Sequence, residues 1–222
     1  TKQYGIDIFM SLNAVLGGFK ICQSGLGTKI HKASAPKLGI MFEQVIDTLL
    51  TVLVQNKGAW MTRNSGDFVV PDTFGLKELA EPQELDINIL DLKEKARMEY
   101  SKYQTDIKEL LEPYAFSRIH EMFQVEVFDL TILLWTQVFY SLVYRYDISK
   151  SNGDRKKIIN SLKPLYFARS LSFNYHTWKY NVKYSELEIR KSALGFASQK
   201  YYLWGLYSQG NHLKPGKTKK KK

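Results

Sequence analysis

Lys29 and His31 stand two residues apart in the segment Leu26-Gly27-Thr28-Lys29-Ile30-His31. Alternate residues of an extended chain point the same way, so this spacing sets a cation and an imidazole side by side. Such a pair suits a phosphate and its metal ion, the ammonium meeting the anion and the imidazole the metal. Other chemistry-bearing patterns are sparse. No Asp-x-Asp, G-x-G-x-x-G, Walker-type lysine loop or G-x-S-x-G occurs, so neither a phosphate-cradling glycine loop nor a serine nucleophile elbow is indicated. His120, His176 and His212 have no carboxylate or cysteine at ligand spacing and read as ordinary histidines. Cys22, in a strand-like segment, reads as packed rather than reactive.

The elements around the pair follow from hydrophobic spacing. Ile6, Phe9, Met10 and Asn13 fall at helical intervals, with Asp7 one step off the apolar row. Gly17-Gly18 can end that helix, since glycine takes the left-handed cap conformation without a Cβ clash. Phe19 to Gln23 alternates apolar and polar residues, the period of a half-buried strand, and Ser24 to Gly27 turns the chain. Ala35-Pro36 opens a second helix, whose Leu38, Phe42, Val45, Ile46, Leu49, Leu50 and Leu53 make one buried stripe. Glu43, Gln44 and Asp47 lie off it. Residues 58–86 read as mostly loop with one short strand at Phe68 to Val70, and a loop of about 28 residues is functional, mobile or contains a short helix. Helices then follow over Ile87–Leu111 and Val127–Tyr146, with a shorter helix or turn over Pro113–Glu126 between them. Asp154 caps another, running to about Trp178, and a capping box at Ser185 and Glu188 opens a last one to about Gln209. The predicted class is mainly α, with a minor β hairpin or edge strand near residues 19–30.

Three runs in order, YGIDI from Tyr4, LGTKIH ending at His31, and PKLGIMFEQVIDTLL ending at Leu50, resemble the second half of GT-A glycosyltransferases. The similarity is to family-2-like enzymes such as glucosylglycerate and mannosylglycerate synthases, and more distantly to glucosyl-3-phosphoglycerate synthase. Pro164-Leu165-Tyr166-Phe167-Ala168-Arg169 is similar to a PLYFGR-type stretch in the helical tail of the same relatives. The resemblance implies that Asp7 is the catalytic acceptor-side carboxylate, that His31 is a metal ligand for Mg2+ or Mn2+, and that Lys29 faces the donor diphosphate. Arg169 is then either a contact to the acceptor or another ligand, or an ordinary helix charge. The implied partners are a nucleotide-diphospho sugar and a small hydroxy-acid-like acceptor. Lys32-Ala33-Ser34-Ala35 departs from the polar and basic residues that follow the metal histidine in the phosphoglycerate synthases, which points to an unphosphorylated acceptor.

On this reading residues 1–57 are the acceptor- and metal-side remnant of the GT-A domain and 58–86 a linker or insertion. Residues 87–213 are the helical C-terminal region and 214–222 a disordered basic tail. The chain opens three residues before Tyr4, so the expectation is that the nucleotide-binding half with its Asp-x-Asp is not in it. The alternative is therefore an inactive glycosyltransferase-like binding or structural module, or half of a split enzyme completed by a second chain or a homodimer.

Composition bounds these readings. The net charge is +10, but six lysines lie in the last nine residues, so the body carries only about +4, which argues against a specific nucleic-acid groove. One cysteine and no signal-peptide pattern read as a reducing, cytoplasmic setting. Phe128 to Val143 is apolar, but Asp129, Thr131, Thr136, Gln137 and Ser141 interrupt it and a span needs roughly 20 apolar residues, so it reads as a buried helix. The aromatics Tyr166, Phe167, Phe173, Tyr175, Trp178, Tyr180 and Tyr184 fall at helical spacing and read as core.

Overall fold

The computed structural model describes residues 4–25, 38–61, 72–75 and 88–212. Lys29, His31, the strand expected at 68–70 and the lysine tail lie outside the described residues. The elements in order are α1 (Ile6–Leu16), β1 (Cys22–Gly25), α2 (Leu38–Gln55), α3 (Lys57–Met61), β2 (Asp72–Gly75) and α4 (Ile89–Leu110). They continue with α5 (Pro113–Val125), α6 (Ile132–Ile148), α7 (Asn152–Thr177), α8 (Val182–Ser198) and α9 (Lys200–His212).

The core forms where α4 lies along α7. Ala96, Tyr100 and Ile107 recur on one face of α4, and Ile158, Leu162, Leu165, Ala168 and Leu171 on one face of α7. Both rows follow the helical period, so two stripes meet and exclude water. Tyr100 stacks on Phe123 of α5 with centroids 3.9 Å apart. Helix α6 closes the bundle, packing against α7, α2, α8 and α9. Its buried positions include Val138, Leu142, Val143 and Tyr146, which fits the buried-helix reading. No helix among the described residues is long and apolar enough to cross a membrane.

Local chemistry sets the boundaries. Asn88 accepts from the Asp91 amide and caps α4, while Pro113 opens α5 where its missing N–H breaks no bond. Ser151, rather than Asp154, caps α7 by accepting from the Asp154 amide, and Asn181, rather than Ser185, caps α8 through the Tyr184 amide. Pro164 sits inside α7 and is buried, so the Asn160 carbonyl lacks its usual donor four residues on.

Several expectations are corrected. Val127 to Thr131 is not helical. Glu126 turns the chain with a left-handed φ of 54°, its carboxylate held by Lys93 at 2.8 Å and Arg97 at 3.1 Å. Phe128 and Leu130 then bury alternate positions of an extended segment, and Thr131 caps α6. The β element is neither a hairpin nor a half-buried strand. β1 pairs in parallel with β2, Cys22 opposite Asp72, and its residues are largely exposed. A parallel pair requires a crossover, and α2 and α3 lie in that connection. The expected last helix divides at Gln199, whose buried side chain meets Gln137 of α6 at 3.3 Å. The aromatic row is core only in part. Phe167 is buried, but Tyr175, Trp178 and Tyr180 are exposed, since α7 contributes its last apolar core side chain at Leu171.

Candidate functional site

Helix α2 presents two faces. Phe42 and Leu50 point into the core. Glu43, Gln44, Asp47 and Thr51, one turn after another beside that stripe, line a cleft of about 550 Å³. The opposite wall is the first turns of α7, with Asn152, Arg155, Lys156 and Asn160, and Tyr146 of α6 stands at the back.

Tyr146 organises this cleft. Its side chain is only 1% exposed. The hydroxyl donates to Asp47 Oδ1 at 2.9 Å, so Thr51 Oγ1, also at 2.9 Å, is left to donate to it. Burial, with the neighbouring Asp47 carboxylate, pushes the Tyr146 phenol above its usual range, and Thr51 and Arg155 oppose the shift. The Arg155 guanidinium lies over the Tyr146 ring, 4.8 Å from its centroid, and reaches Ser149 Oγ at 3.4 Å. Both α2 hydrogen-bonding groups and the cation opposite are thus fixed by one aromatic residue. A second polar node lies nearby in sequence. Lys57 Nζ meets Asp147 Oδ2 at 2.6 Å, Tyr207 donates to the same oxygen at 2.8 Å, and the lysine sits over the Tyr207 ring. That node ties α9 to α6.

The cleft adjoins the Tyr4 to Ile8 segment. The Tyr4 amide donates to Gln44 Oε1 at 3.1 Å. Gly5 is buried with φ −92° and ψ 0°, a conformation open to any residue. Space is what demands glycine there. A Cβ at Gly5 would overlap Thr48 Oγ1 and lie 2.9 Å from Thr48 Cβ and 3.2 Å from the Gln44 carbonyl. The close approach seats the start of α1 on α2, and Asp7, in the first turn, faces outward. Its carboxylate has no hydrogen bond or ion pair with another described residue.

Arg169 is placed elsewhere. It is half-buried, and its guanidinium donates to the Leu130 carbonyl at 2.9 Å and to Ser192 Oγ at 3.1 Å. Burial pulls it below the usual arginine range, against the pull of Glu188 and Asp129. These bonds lash the extended 127–131 segment and α8 to α7. The structure does not bring Arg169 to the cleft.

The chain matches no protein-family model, no curated protein and no solved structure. The geometry therefore stands by itself. Sequence reasoning placed Glu43, Gln44 and Asp47 off the α2 stripe but not opposite Tyr146 and Arg155, about a hundred residues away. The available signal was three polar side chains within two turns beside a buried stripe. His176, read as without partners, meets Asp129 at 3.1 Å across 47 residues of sequence. Among the described residues no group of His, Cys, Asp and Glu could hold a metal ion.

Proposed function

We propose that this chain is glycosyltransferase-related and takes part in transferring a sugar from a nucleotide-diphospho sugar to a small hydroxy-acid-like acceptor. Asp7 acts on the acceptor side and Lys29 and His31 on the donor side. The observation that carries the reading is the setting of Asp7. A carboxylate without a partner among the described residues projects from a helix start that Gly5 locks onto α2. A group so held can hydrogen-bond an acceptor hydroxyl and orient it at little entropic cost. Support also comes from the order of the three sequence runs that resemble GT-A enzymes, with β1 leading from the first toward the second. Lys29 would offset charge developing on the leaving diphosphate. A divalent ion, when bound, would neutralise the same diphosphate. The described residues do not by themselves supply its ligands, and His31 lies outside them.

One observation favours a second reading, a module that works only against another polypeptide. Helix α1 buries none of its residues, and Met10 is 63% and Phe19, just beyond it, 72% exposed. Ile6 and Phe9, on the same side of the helix as Met10, are also exposed. A row of exposed apolar side chains of this kind marks an interaction site.

A thermal-shift titration with UDP-glucose and GDP-mannose, each with and without Mn2+, separates the two. A donor at a hundred times its dissociation constant stabilises the fold by about 2.7 kcal/mol. A metal-dependent rise that vanishes in His31→Ala supports the first reading. No rise with either donor removes a donor site from this chain and leaves the second.

A further inference from the structure

We propose that the cleft between α2, α6 and α7 binds a neutral polyhydroxylated molecule, a saccharide or polyol. The inference does not rest on the glycosyl-transfer reading, which uses Asp7, Lys29 and His31, none of them in this cleft.

The chemistry of the walls selects the ligand class. Apart from Ile159, every lining side chain is polar, which gives a lipid or an aromatic drug-like molecule little to bury. Charge is balanced across the gap. Glu43 and Asp47 on α2 face Arg155 and Lys156 on α7, so a polyanion gains from one wall what it loses at the other. A ligand whose groups both donate and accept suits both walls. Hydroxyls do this, giving protons to the carboxylates and accepting from the cations. The amides of Gln44 and Asn160 also do both. The volume, about 550 Å³, lies within the range of small-molecule sites.

Preorganisation supplies the second argument. The Tyr146 hydroxyl sits between Thr51 and Asp47 at 2.9 Å from each, and its ring carries the Arg155 guanidinium. Thr51, Asp47 and Arg155 are thus held before any ligand arrives, which removes part of the ordering cost that makes polar sites weak.

Amide nitrogen–proton correlation spectra of the full chain, titrated with glucose, mannose, trehalose and myo-inositol, test this. D-glycerate and inorganic phosphate form the anionic arm. The expected result is a saturable shift of the Thr51 and Asn160 resonances with at least one neutral probe. Glu43→Gln and Asn160→Ala should each raise the dissociation constant about tenfold, the scale of one lost hydrogen bond to a charged or well-placed group. Neither side chain is hydrogen-bonded to another described residue, so both variants should fold, and a thermal melt checks that. The inference is overturned if no neutral probe binds up to its solubility, or if the shifts map elsewhere. It is also overturned if neither variant weakens binding, or if only D-glycerate or phosphate binds. A failed nucleotide-sugar titration leaves these outcomes unchanged, so the two proposals fail separately.

Discussion

Replacing Gly5 with alanine tests the contact that positions Asp7. The backbone at Gly5 tolerates a side chain, with φ −92° and ψ 0°, so no conformational penalty enters. The cost is steric. The new methyl would overlap Thr48 Oγ1 and stand 2.9 Å from Thr48 Cβ, inside any normal carbon contact. Thr48 cannot easily swing away, since it is buried and its hydroxyl donates to the Gln44 carbonyl at 2.8 Å. Overpacking of this kind costs about 1–3 kcal/mol. Helix α1 packs chiefly on α2 and buries none of its own residues. The strain should therefore lift α1 rather than unfold the α4–α7 core. Hydrogen exchange read by mass spectrometry is the assay. Amides of residues 6–16 should exchange about tenfold faster or more, since 1.4 kcal/mol is a factor of ten. Amides of α4 and α7 should keep their protection. Thr48→Ala in the same chain removes the overlapping oxygen and should restore part of the α1 protection, leaving the residue-48 Cβ at 2.9 Å and the Gln44 carbonyl at 3.2 Å. Unchanged exchange in α1 after Gly5→Ala would refute the close approach, and with it the account of how Asp7 is held.

Arg169→Ala should destabilise the fold by about 2 kcal/mol, the scale of hydrogen bonds from a charged donor. The Leu130 carbonyl would keep only its 3.3 Å bond from Ser172. Lysine should not rescue it, because one ammonium cannot span Leu130 and Ser192 as the planar fork does. A denaturant melt decides, and a variant of wild-type stability would return Arg169 to the pool of ligand contacts. Alkaline stability provides another check. Burial pushes the phenols of Tyr100 and Tyr140 up to about 12 from the ordinary tyrosine value of about 10. Below the unfolded value both are neutral folded or unfolded, and their stabilisation is present in full. As pH rises toward about 12 the unfolded chain ionises first, so stability should fall across that window. Denaturation midpoints that stay flat there would contradict the burial of these rings.

Sequence alone determined the secondary structure wherever one local rule was decisive. The periodic stripe of α2, the Pro113 boundary between α4 and α5, and the interruption at Ser151 to Asp154 are all local chemistry. A stripe at helical spacing can bury itself only as a helix, whatever it packs against. Where two local rules competed, tertiary structure chose. Val127 to Leu130 is apolar enough for a helix, yet Glu126 turns left-handed under Lys93 and Arg97, and an extended segment buries Phe128 and Leu130 instead. Gln199 divides α8 from α9 where its buried amide meets Gln137 of α6, a partner that propensity cannot see. The same holds for the cleft. Glu43, Gln44 and Asp47 were visible as polar residues beside a stripe, which usually means a solvated face. Only the packing of α6 and α7 brings Tyr146 and Arg155 against them, and makes that face a site.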